Sequence, residues 1–103
     1  MRMDTDFEEE ARLLSLLANE KRLLIASLLL DNEFNVGDLA KRVGLSQSAL
    51  SQHLARLREG NVVKTRRDAQ TIYYSTEHYG VRKILSTLNE ITGRSTPALK
   101  AAS

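Results

Sequence analysis

Gln47, Ser48, Ser51 and Gln52 carry amide and hydroxyl groups at a spacing that sets them on one side of a helix. Such groups both donate and accept hydrogen bonds, and their short side chains permit close approach to a surface. An ordinary solvated helix face is built from Lys and Glu, so a neutral hydrogen-bonding face asks for a partner. Base edges in a DNA major groove are a partner of the right kind, and glutamine can bond adenine bidentately. Arg56 and Arg58 follow toward the end of the same segment, where they suit the helix dipole or flanking phosphates.

The helical wheel of that segment separates two arcs. Ala49, Leu50, His53, Leu54 and Leu57 fall together as the core side, while Ala55, Arg56 and Arg58 join the polar four opposite. Ser46 is a good N-cap for this helix, and its hydroxyl is also a candidate phosphate contact. Before it, the spacing predicts a short helix from Val36 to Val43, with Val36, Leu39, Ala40 and Val43 on one face. Gly44 then stands where a helix C′ residue turns left-handed. Two helices joined by a tight glycine-containing turn make a helix-turn-helix candidate, with Lys41 available to phosphates.

Other elements must hold this pair in place. Phe7, Ala11, Leu14 and Ala18 predict a first helix over Asp6 to Ala18, its core stripe widened by Leu13, Leu16 and Leu17. Glu8–Glu10 suit its N-terminal turn. Asn19 reads as the N-cap of a second helix, Glu20 to about Leu30, apolar nearly all round and therefore the central buried helix. After Gly60 the period changes to alternation. Residues 62–67 and 71–75 read as two strands separated by Asp68-Ala69-Gln70, a hairpin with Lys64, Arg66 and Arg67 near its tip. A last helix, about Glu77 to Thr92, carries Val81, Ile84, Leu85, Leu88 and Ile91 and is closed by Gly93. Residues 1–93 form one domain on this reading, and 94–103 read as a disordered tail.

Composition narrows the function classes. The 103 residues suffice for one modest core. Cysteine is absent, which removes disulfides, thiolate metal sites and thiol redox chemistry together. The longest apolar run, Leu23–Leu30, is far short of the about 20 residues a membrane span needs, and the acidic N-terminus has no secretory h-region. A cytoplasmic location is the simplest expectation. Net charge is +2, but unevenly spread. Residues 1–40 hold four basic and nine acidic side chains, whereas residues 41–76 hold seven basic and two acidic. A domain polarised toward the helix-turn-helix side points to a polyanion.

The segments ANEKRLLIASLL, FNVGDLAKRVGLSQSALSQHLARLREGNVV and RRDAQTIYYS, in this order and spacing, resemble the ArsR/SmtB family of winged-helix repressors. The likeness covers about Ala18 through Ser75, extended by the flanking helices to Thr92, and is strongest to the subgroup of rhizobial nodulation regulators. It implies a mainly α fold with a small β-hairpin wing, a winged helix-turn-helix of order α-α-α-α-β-β-α, and a homodimer paired through the first and last helices. Leu13, Leu16, Leu17, Ile84, Leu88 and Ile91 are the expected interface. An independent reason is that the first helix carries more apolar surface than one small core can cover.

Departures from the family bear on regulation. Its metal sensors often carry Glu-Leu-Cys-Val-Cys-Asp-Leu at the start of the third helix, where this chain has Glu33-Phe34-Asn35-Val36-Gly37-Asp38-Leu39. A second family site uses Asp, His, His and Glu on the last helix; here the corresponding positions are Thr76, His78, Asn89 and Thr92. Neither ligand set is inherited, the cysteine pair of the sulfur sensors is missing, and no metal or cofactor is expected. Many relatives place Gly then Arg at the wing turn, where this chain has Ala69 and Gln70. Alanine at positive φ is strained by about 1–2 kcal/mol, so a different turn is expected, with Arg66 and Arg67 left to supply charge to the minor groove.

Blander readings weigh on single residues. His53 on the inner arc reads as a structural ring bonded to a neighbour, and His78 as a surface residue at a helix start. Tyr73 and Tyr74 could stack on bases, but in a wing strand they read as one core and one surface residue. The leading function is a sequence-specific regulator of transcription, a dimeric repressor occluding promoters on double-stranded DNA. In it Gln47, Ser48, Ser51 and Gln52 read bases, while Lys41, Ser46, Arg56, Arg58, Lys64, Arg66 and Arg67 serve phosphates and the wing. The alternative is a winged-helix protein-interaction module that no longer binds DNA. An enzyme is a distant third, because no Ser/His/acid arrangement, metal cluster or phosphate loop is present.

Overall fold

In the computed structural model, which describes residues 6–94, five helices and three short strands follow one another. They are α1 (Glu8–Leu17), α2 (Glu20–Asp31), β1 (Phe34–Asn35), α3 (Val36–Val43), α4 (Gln47–Glu59), β2 (Lys64–Asp68), β3 (Thr71–Ser75) and α5 (Tyr79–Thr92). Of the expected tail at 94–103, Arg94 is described, its amide donating to the Asn89 carbonyl at 3.2 Å, and the rest lies outside the described residues.

α2 is the central helix, with Ile25, Ala26, Ser27, Leu28 and Leu29 all buried. Its start is fixed by Asn19, whose side chain accepts from the Lys21 and Arg22 amides at 2.9 and 3.1 Å. Around it close Leu39 and Val43 of α3, Leu50, Leu54 and Leu57 of α4, and Val81 and Leu85 of α5. Gly44 ends α3 with φ 72°, the left-handed conformation its position predicts. Lys21 reinforces that end by donating from Nζ to the Val43 carbonyl at 2.7 Å, which ties the turn to α2.

The wing differs from the sequence expectation in three ways. It has a third strand: β1 pairs antiparallel with β3, Phe34 opposite Tyr74 and Asn35 opposite Tyr73, giving the order β1-β3-β2. Two residues carry no readable alternation, so only the tertiary partner makes them a strand. Second, β2 begins at Lys64 rather than at Val62. Val62 and Val63 are buried and anchor the root of the hairpin instead of pairing. The strands run through Asp68 opposite Thr71, leaving Ala69-Gln70 as a two-residue turn with Ala69 at φ 57°. The alanine therefore accepts the left-handed conformation that the sequence reading expected it to avoid, because the ladder on both sides holds it there.

Thr76 rivets the wing to the helices. It is 3% exposed, its amide donates to Leu29 O at 3.0 Å, and its hydroxyl donates to the Val62 carbonyl. α5 then starts at Tyr79, with His78 as its N-cap: the Val81 amide donates to His78 Nδ1 at 3.2 Å. His78 is thus a half-buried capping residue, not a free surface one.

α1 corrects the expected division of its apolar residues. Leu17 is 2% exposed in the protomer's own core, and Leu13 and Leu16 pack against that core. Phe7 and Leu14, assigned inward from the sequence, are 62% and 55% exposed. Apolar residues on two arcs define a helix without saying which arc meets its own protein. Leu16 lies so close to Gly60 that a Cβ there would fall 2.1 Å from Leu16 Cδ1, so a larger residue at this crossing of α1 with the end of α4 would force the Leu16 side chain to move. On α5, Ile84 also packs against the core, while Leu88 and Ile91 are exposed.

Candidate nucleic-acid interface

α4 is held from behind and left free in front. Leu50, Leu54 and Leu57 are buried, whereas Gln47, Ser48, Ser51, Gln52, Ala55, Arg56 and Arg58 are exposed, as the wheel predicts. Ser46 Oγ accepts from the Ala49 amide at 3.1 Å and so caps the helix. Its hydroxyl hydrogen is still available to a phosphate. Among the described residues, Gln47, Ser48, Ser51 and Gln52 have no side-chain hydrogen bond. The Gln47 amide lies beside the first turn of α3, 3.8 Å from where a Gly37 Cβ would stand. This turn is itself capped by Asn35, which accepts from the Asp38 amide at 2.8 Å. The Asn-x-x-Asp spacing was available in the sequence as a helix-start signal.

His53 has the structural environment expected of it. The ring stands 3.4 Å from Arg22 Nη1 through Nδ1, and burial first, then the Arg22 charge, holds its pKa below the ordinary histidine value. Arg22 in turn closes the end of α1, donating from Nε to Leu16 O at 2.7 Å and from Nη2 to Ser15 O at 3.4 Å. Arg56 reaches the same place, donating to Ser15 Oγ at 3.1 Å across an open crevice of about 300 Å³ lined by Arg12, Leu16 and Glu59. Arg22 is lowered in pKa by burial and next by the charge of Arg56. Of the candidate phosphate contacts on the helix-turn-helix, Arg56 is tethered to α1. Lys41 and Arg58 are exposed and make no hydrogen bond or ion pair among the described residues.

The wing cations are more committed. Lys64 pairs with Glu77 at 2.8 Å. Arg66 donates from Nε and Nη2 to the two Glu33 oxygens at 3.0 and 2.9 Å, and its guanidinium carbon lies 4.8 Å from the Tyr73 ring centroid. Arg67 is exposed and makes no such contact among the described residues. Tyr74 packs against the core while Tyr73 carries the Arg66 stack, one inward and one outward as the strand period requires. Glu33 was missed as a member of this site, since it lies 33 positions from Arg66. No group of three His, Asp or Glu side chains converges among the described residues.

A helix-turn-helix with a polar recognition face and a basic wing defines a winged-helix DNA-binding protein. The family described as bacterial regulatory protein, arsR family, matches residues 19–65. The chain is 57% identical over 95 residues to nodulation protein NolR of Rhizobium meliloti, covering 92% of this chain and 78% of the relative. It is 45% identical to the transcriptional activator HlyU of Vibrio cholerae, over 86% of this chain and 82% of the relative. The crystal structure of NolR from Sinorhizobium fredii superposes with a TM-score of 0.83 at 59% identity, covering 85% of this chain and 88% of that one. That of the repressor BigR from Xylella fastidiosa gives 0.76 at 36% identity, over 81% and 85%. The chain belongs to the arsR family of bacterial regulatory proteins; it is a transcriptional regulator and not an enzyme.

Proposed function

We propose that the protein is a homodimeric cytoplasmic repressor that occludes promoters by sequence-specific binding to duplex DNA. One observation carries the reading: the front of α4 is an exposed row of amides and hydroxyls without partners among the described residues, on a helix fixed from behind by three buried leucines. Gln47, Ser48, Ser51 and Gln52 read base edges. Lys41, Ser46, Arg56 and Arg58 hold phosphates, and Lys64, Arg66 and Arg67 engage backbone or minor groove.

Pairing is supported by where apolar surface remains. The large exposed hydrophobic residues among those described are Phe7, Leu14, Tyr79, Leu88 and Ile91, all on α1 and α5 or at the α1 cap. Leu88 and Ile91 are exposed as an interface role needs, Phe7, Leu14 and Tyr79 are further candidates, and Leu17 is buried in the protomer's own core. Two-fold association would remove this surface from water and present two α4 helices about one DNA turn apart. Occlusion needs only occupancy of the site. The fold itself does not fix the sign of control, since BigR is described as a repressor and HlyU as an activator.

Selection of bound sites from random duplexes tests the reading. The expected product is a pair of two-fold-related half-sites about 10–10.5 base pairs apart, centre to centre, bound more weakly as salt rises. Recovery of unenriched sequence, or weak binding that ignores salt, would overturn it in favour of a protein-interaction module.

A further inference from the structure

The sheet order places Tyr73 between Asn35 of β1 and Arg66 of β2, each opposite it in register. Glu33, immediately before β1, therefore reaches across β3 to the Arg66 side chain. The contact is two-pronged, Nε to Oε2 and Nη2 to Oε1, and the guanidinium rests on the outward Tyr73 ring. A carboxylate gripped through two parallel N–H donors has the geometry with which arginine also grips phosphate. Both partners stay open to solvent, at 52% and 40% side-chain exposure, so nothing walls the pair off from a duplex. The Arg66 hydrogen bonds lower the Glu33 pKa and the same bonds raise that of Arg66, so both remain charged near neutrality.

Resting on the wing reading above, we infer that Glu33 is an internal competitor for DNA phosphate. In the free protein its carboxylate occupies the phosphate-binding edge of Arg66, and duplex binding exchanges that carboxylate for a backbone phosphate. Glu33 thereby sets overall affinity without touching a base. Its cost falls equally on every sequence, because the phosphate is the same at every step. It limits adhesion to random sequence by the same factor as it weakens the operator, so the ratio between them stays with what α4 reads.

The test is a mutant cycle on the full chain, with titration of the selected operator and of a random duplex across a salt series. Glu33→Gln is expected to tighten both duplexes alike, about two- to fivefold near 0.1 M salt, and to steepen the salt slope by up to about 1. Arg66→Ala is expected to weaken both by more than Arg67→Ala does, because it leaves a bare carboxylate facing the duplex. Glu33→Gln combined with Arg66→Ala should recover part of that loss. Glu9→Gln on α1 removes the same charge away from the wing and controls for net charge. Equal or weaker binding by Glu33→Gln, or tightening matched by Glu9→Gln, overturns the inference. Failure of the parent reading is separately visible, as loss of salt-dependent binding by the unmodified protein.

Discussion

α4 and the wing meet the same expected ligand, yet they are built on opposite plans. On the exposed face of α4, Gln47, Ser48, Ser51 and Gln52 have no side-chain hydrogen bond among the described residues, while its buried face is locked by Leu50, Leu54 and Leu57. In the wing, two of the three cations named from the sequence, Lys64 and Arg66, are held by Glu77 and Glu33. On the proposed reading, the difference follows from what each group would do on DNA. A base-reading amide gains specificity only if it is presented at a fixed place and is not already satisfied. A phosphate-seeking guanidinium binds any sequence, so holding it back loses little information and limits adhesion to the wrong sites.

The first way to break this contrast is to remove the support behind α4. Leu54→Ala should cost about 2–5 kcal/mol of stability in urea denaturation, and a loss under about 1 kcal/mol would mean that the core does not fix this helix. Next comes the readout itself. Gln52→Ala should weaken the best operator by about 1–3 kcal/mol and flatten preference at the neighbouring bases; uniform loss over operator variants would move Gln52 to the phosphate set. Arg67→Ala should do the reverse, weakening all duplexes alike and lowering the salt slope by roughly 1. An unchanged slope would take Arg67 off the DNA.

Two smaller effects concern how each region is held. Ala69→Gly should stabilise the wing by about 1 kcal/mol or less: relief of left-handed strain exceeds the added chain entropy of glycine. Thermal denaturation checks it, and a lower midpoint would show that the ladder tolerates Ala69 without strain. Behind α4, the lowered pKa of His53, from burial and then Arg22, means that the unfolded chain binds a proton more readily than the folded one. Its contribution to stability is therefore full above the unfolded value of about 6.5 and is lost as pH falls through the lowered folded value. Denaturation at several pH values across that window should show a decline that His53→Asn makes shallower; parallel curves would assign the decline to other groups.

Much of the site could be read directly because its signals are local. Asn19, Ser46 and Gly44 each act on residues within a few positions, so type and spacing are enough to define the ends of α2, α3 and α4. The arcs of α4 were equally legible, since a helix of 13 residues with leucines on one side can turn only that side inward. On α1 the same method misassigned the faces. Leu13, Leu16 and Leu17 sit on one arc and Phe7 and Leu14 on another, and periodicity gives their angles but not the direction of the core.

By itself, then, the sequence determined the helix-turn-helix, the polar face of α4 and the two-stranded part of the wing. These rest on short-range hydrogen bonds and on patterns with one solution. Only the tertiary structure decided that Phe34 and Asn35 become a strand, that Leu17 belongs to the core, that Ala69 turns left-handed and that Glu33 grips Arg66. Each of those outcomes depends on a neighbour brought close by the packing of other elements, and neither spacing nor residue type encodes where such a neighbour will be.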